Sequence, residues 1–177
     1  GLPQIADFQA TITAHLETVG GVARVSKLAS ALIDEPTRIE QARVAFLAKL
    51  CNNLLVINED DNFHNSVAIK ANRDEKKLKA DVATIVAAIK KLGEPANIEA
   101  IADAAGNSDV AETEALASTS KLLATLNDRW GLIKWPMVNP KNIRDKIYVI
   151  LKEHGKHMHF NEIADAIKDS DFKRKDV

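Results

Sequence analysis

Three stretches of the chain repeat one arrangement of apolar positions. Phe8, Ile12 and Leu16 fall at helical spacing and are followed by Gly20, Val25 and the pair Leu28-Ala29. Val82, Ile85, Val86 and Ile89 precede Gly93, Ile98 and Ile101-Ala102. Ile143, Ile147, Ile150 and Leu151 precede Gly155, Phe160 and Ile163-Ala164. Intervals of three and four place each leading group on one face of a helix. The glycine suits the left-handed backbone that ends a helix, and the apolar residue after it ties the turn to a core. The Ile/Leu-Ala pair then opens a second helix whose alanine lets a neighbour approach closely. One match of this kind is commonplace. Three at identical spacing predict repeated helix–turn–helix units, with the stacked hairpins of a solenoid as the plainer alternative.

The segments after each helical hairpin separate the two. Thr37 is predicted to cap a helix carrying Ile39, Ala42, Val44, Phe46, Leu47 and Leu50. Leu54 to Ile57 and Phe63 to Ile69 flank the polar run Asn58-Glu59-Asp60-Asp61-Asn62, which predicts a β-hairpin. Three helices and a hairpin make a winged helix, and a solenoid needs no hairpin. In the second unit a helix is predicted from about Glu112 to Asn127, with Leu116, Leu122, Leu123 and Leu126. A strand over Trp130-Gly131-Leu132-Ile133-Lys134-Trp135 comes next and stops at Pro136, so this wing is expected to be short. The third unit opens near Pro140, and the sequence ends at Val177 where its third helix should begin; the natural chain is expected to continue. The expectation is a mainly α fold with small β-hairpins, built as tandem winged helix-turn-helix units over 1–72, 73–137 and a truncated 138–177.

Charge adds little for the whole chain and more by segment. The 177 residues carry 24 Lys and Arg against 25 Asp and Glu, so no overall basic signature announces a nucleic-acid binder. Residues 1–72 hold six basic and eight acidic groups, 73–137 nine and ten, and 138–177 nine and seven. The basic surplus therefore falls in the last segment. Cys51 is the single cysteine, which excludes an internal disulfide and a cysteine-based zinc site. The longest apolar runs are too short to span a bilayer, and a cytoplasmic, reducing setting is expected. No phosphate-binding loop, dinucleotide fingerprint or nucleophile–base spacing is present, so no enzyme, cofactor or small-molecule substrate is expected. His154, His157 and His159 crowd a turn, where packing or capping is favoured over metal binding.

Two stretches resemble a known family. Trp130 to Pro136 with Pro140-Lys141-Asn142-Ile143-Arg144-Asp145-Lys146-Ile147-Tyr148 resembles a linker and first helix of bacterial sigma-factor-like proteins. His159-Phe160-Asn161-Glu162-Ile163-Ala164-Asp165-Ala166-Ile167 is similar to the opening of the HARE-type helix–turn–helix, a winged helix related to the N-terminal domain of the RNA polymerase delta subunit. Gly20-Gly21-Val22 and Phe46 to Leu50, with an acidic turn before Phe63-His64, resemble the middle section of those proteins. Their sigma-70 region 4 module is missing here, as in a fragment cut at both ends. The resemblance implies a transcription-related role, with double-stranded DNA as the leading partner and RNA polymerase as the second.

Candidate DNA contacts come from the winged-helix reading, in which the third helix enters the major groove. They are Arg38, Gln41, Arg43 and Lys49 in the first unit, Ser118, Thr119, Lys121 and Arg129 in the second, and Lys173, Arg174 and Lys175 in the third. Against them stand Glu35, Glu40 and the acidic Glu59-Asp60-Asp61, which would repel phosphate. A protein-docking array without direct DNA contact is the alternative.

Overall fold

The computed structural model describes residues 2–155 and 159–169, and within them eight helices alternate with two small antiparallel sheets. The first half runs α1 (Leu2–Thr18), β1 (Val22–Arg24), α2 (Val25–Leu32), α3 (Arg38–Lys49), β2 (Leu54–Ile57) and β3 (Ser66–Ile69). The second repeats the order without a full first strand: α4 (Glu75–Leu92), α5 (Ile98–Ala105), α6 (Val110–Ser118), β4 (Leu123–Leu126) and β5 (Arg129–Leu132). A single bridge between Ala96 and Trp130 stands where that strand would be. Helices α7 (Ile143–His154) and α8 (Phe160–Asp169) close the described chain.

The repeated glycines act as their spacing predicts. Gly20, Gly93 and Gly155 all take positive φ, at 93°, 75° and 84°. Gly20 has a further constraint, because a Cβ there would collide with the Ala111 carbonyl oxygen and lie 2.8 Å from its carbon. The turn after α1 and the start of α6 thus touch backbone to backbone. The predicted helix from Glu112 to Asn127 is corrected: α6 stops at Ser118, and Leu123–Leu126 pairs with Arg129–Leu132 as a tight hairpin. Asn127 and Asp128, both at positive φ, form its two-residue turn, the left-handed geometry that matches strand twist.

The first sheet has strand order β1-β3-β2. Alternation along its strands sends side chains to two different cores. Ala23, Leu54 and Val67 face one way, onto Ile12, Leu16, Leu28, Ala29, Val44 and Ala48 of α1, α2 and α3. Val22, Ile57 and Ala68 face the other way, onto Leu78, Val82, Ile85, Ile89, Ile101 and Leu116 of α4, α5 and α6. Burial on both faces explains why Leu54-Leu55-Val56-Ile57 is apolar at every position instead of alternating. The sheet is a wall shared by both halves.

Candidate functional site

Helix α3 is set by a capping box: Thr37 Oγ1 accepts from the Glu40 amide, and Glu40 Oε1 accepts from the Thr37 amide, both at 3.1 Å. Its inner face is made of small residues, Val44, Ala45 and Ala48, buried against the first core. Ile39, Phe46 and the C-cap residue Leu50 point the other way, while Leu47 is half-buried between. Ile39 is 68% exposed, Phe46 63% and Leu50 53%. Intervals of seven and four put these three on one stripe, opposite Val44 and Ala48.

The candidate cations border this stripe. Arg38, Arg43 and Lys49 are all exposed, and none enters an ion pair among the described residues. With about 100° of helical turn per residue, Arg43 falls on one side of the apolar line, and Arg38 and Lys49 fall on the other. Gln41 is half-buried, and its Nε2 turns back to the Pro36 carbonyl at 3.5 Å, away from this face. The structure thus places Arg38, Arg43 and Lys49 along the two flanks of the apolar stripe and separates Gln41 from them.

The second half places its candidates differently. Thr119 is fully buried and its hydroxyl donates to the Leu116 carbonyl at 2.7 Å, leaving no atom for a duplex. Ser118 Oγ donates to the Ala115 carbonyl at 2.6 Å, while the Ser118 carbonyl accepts from Arg24 Nε at 2.5 Å. Lys121 is half-buried, with its amide donating to the Asn62 carbonyl at 2.8 Å and its Nζ 3.6 Å from Glu59 Oε2. The His64 amide donates to the Thr119 carbonyl at 2.8 Å, and Phe63 bridges Ser120. The Ser118–Lys121 turn therefore belongs to a seam between the two halves. Arg129 stays exposed and lies 3.9 Å from Glu153 of α7. Lys173, Arg174 and Lys175 lie outside the described residues.

The acidic turn before Phe63 belongs to the same seam. Asp60 Oδ1 accepts from the amides of Asn62 and Phe63, both at 2.8 Å, and Lys79 Nζ of α4 stands 3.7 Å from Asp60 Oδ2. Those two backbone donors, ahead of Lys79, hold the Asp60 carboxyl below its ordinary pKa. Lys79 also sits over the Phe63 ring, 5.2 Å from its centre. Of the carboxylates expected to repel phosphate, Glu59 and Asp60 each lie beside a lysine of the second half, while Asp61 stays exposed.

No protein-family model matches the chain, and neither a curated protein nor a solved structure is significantly similar to it. Its candidate site stands on its own geometry.

Helix α6 occupies in the second half the place α3 has in the first, but Ala115, Leu116 and Ala117 are buried and only Ala111 and Glu114 are exposed along it. It carries no cation. Among the described residues no group of three His, Cys, Asp or Glu gathers around a potential metal position, and His157 lies outside them. Cys51 is buried, and desolvation pushes its thiol pKa up. No described helix is long and apolar enough to cross a membrane.

The α3 stripe is the feature that sequence reasoning misses. The rule that large apolar side chains go inside groups Ile39, Ala42, Val44, Phe46, Leu47 and Leu50 without telling which of them face outward. The signal is present nonetheless: residues 39, 46 and 50 and residues 44, 45 and 48 form two separate stripes on one helix. A helix with two apolar stripes has two surfaces to cover.

Proposed function

We propose that the chain is a tandem winged-helix array whose work is docking another protein, in the transcription-related setting that its sequence resemblance implies. The repeated order of helix, helix, helix and hairpin supports the winged-helix reading over 1–72 and 73–137, with α7 and α8 opening a third unit in 138–177. One observation carries the choice of docking over DNA readout. The outward face of α3, the helix that would enter a groove, presents Ile39, Phe46 and Leu50 where base contacts call for Arg, Asn, Gln or Ser. Three exposed large apolar side chains find little apolar surface in a major groove beyond thymine methyls and gain more from burial against a protein.

DNA binding through α3 is the second reading, and Arg38, Arg43 and Lys49 are what favours it. Titrating a duplex of about 20 base pairs at roughly 50 mM salt, where phosphate contacts are strong, tests the choice. The docking reading expects no saturable binding. Tight binding that falls steeply as salt rises, and that Arg38→Ala with Arg43→Ala removes, would overturn it.

A further inference from the structure

From the same face we infer the chemistry of the partner: an acidic, amphipathic helix laid along α3. This rests on the docking reading and adds the identity of the occupant. The stripe from Ile39 to Leu50 rises about 16 Å along the helix, the length of roughly three helical turns. An apolar line of that length, offered by one helix, is matched by the apolar line of another at intervals of three and four.

Charge selects which helix. The face has Arg43 on one flank and Arg38 and Lys49 on the other, all exposed and outside any ion pair among the described residues. The one carboxylate of α3, Glu40, is held by the capping box at the helix start. A partner flanked by Glu or Asp meets a cation on either side of its apolar line, and one flanked by Lys or Arg meets like charge on both. Complementary rims steer association and reject wrong partners. The same arrangement disfavours a second copy of this chain, since α3 against its own image sets cation against cation.

Two synthetic peptides of about 16 residues test this, sharing Leu at i, i+4, i+7 and i+11, with one flanked by Glu and the other by Lys. The probe is the full chain labelled with nitrogen-15, with amide shifts followed during titration. The Glu-flanked peptide is expected to saturate, with shifts centred on residues 38–50, and to bind at least about ten-fold tighter than the Lys-flanked one. Phe46→Ser is expected to weaken it roughly thirty-fold. That variant keeps its melting temperature, because Phe46 is 63% exposed. Arg43→Glu with Lys49→Glu should reverse the preference between the peptides.

Equal or tighter binding of the Lys-flanked peptide overturns the acidic partner and leaves docking standing. Failure of both peptides, or shifts centred away from α3, overturns the inference too. Self-association that Phe46→Ser abolishes would make a second copy the occupant, and Phe46-dependent sedimentation with phosphatidylserine vesicles would make it a lipid surface. Duplex-induced shifts over α3, with neither peptide binding, would overturn the docking reading along with the inference.

Discussion

Gly20→Ala probes the seam between the halves at one atom. The residue is in the first half, at φ 93°, where an L side chain is strained; moving to such a backbone costs about 1–2 kcal/mol. The added methyl also meets α6, colliding with the Ala111 carbonyl oxygen, 2.8 Å from its carbon and 3.1 Å from the Ala115 Cβ. Backbone cannot swing aside as a flexible side chain does, so overpacking adds about 1–3 kcal/mol. The expected loss is roughly 2–5 kcal/mol, a large part of a typical domain's stability. Gly21→Ala is the internal control: its φ is 89°, but nothing lies within 4 Å of the new Cβ, so only the conformational cost applies. Urea unfolding should be followed by far-ultraviolet circular dichroism and by tryptophan fluorescence. Both tryptophans, Trp130 and Trp135, lie beyond the seam, so fluorescence reports the second half while the change is made in the first. Gly20→Ala should lower the midpoint of both signals together, and by more than Gly21→Ala does. Equal losses for the two variants, or a fluorescence midpoint that Gly20→Ala leaves in place, would refute the shared-core account.

Two further outcomes are expected. Thr37→Ala removes the capping box of α3 and should cost about 1 kcal/mol in urea unfolding, with Thr37→Ser recovering most of it. Asp60 has a folded pKa below its ordinary 3.8, so its stabilising effect is complete above that value. It is lost as pH falls below 3.8 through the depressed folded value. Asp60→Asn should therefore flatten the pH dependence of unfolding in that acid range and leave its slope near neutrality unchanged.

Much of the backbone is legible because its signals are local. Gly20, Gly93 and Gly155 mark helix ends by a conformation other residues resist, and Thr37 caps where its residue type suggests a cap. Val82, Ile85, Val86 and Ile89 are all buried along α4, as their spacing demands. The failure at 112–127 has a specific cause. Leu116, Leu122, Leu123 and Leu126 suit helical intervals, but Asn127-Asp128 is a two-residue turn signal between a pair of four-residue strands, and it outranks the periodicity. The candidate site is harder to read. Arg38, Arg43 and Lys49 stand out because charged groups on a third helix are conspicuous. The fate of Thr119 and Lys121 depends on the halves packing together, which only long-range contacts determine. The acidic turn shows the same limit: composition reveals its charge and says nothing of Lys79 and Lys121 waiting across the seam.

The two-faced sheet also governs how this molecule can be taken apart. A cut between residues 72 and 73 would fall in an innocuous polar stretch yet strip Val22, Ile57 and Ala68 of the surface they lie on. Neither piece could be swapped into another protein without carrying a bare apolar wall with it. A side chain gained at position 20 would need the backbone itself to give way at Ala111, which no exchange of side chain there supplies. As a packed object, the first two repeats are one piece.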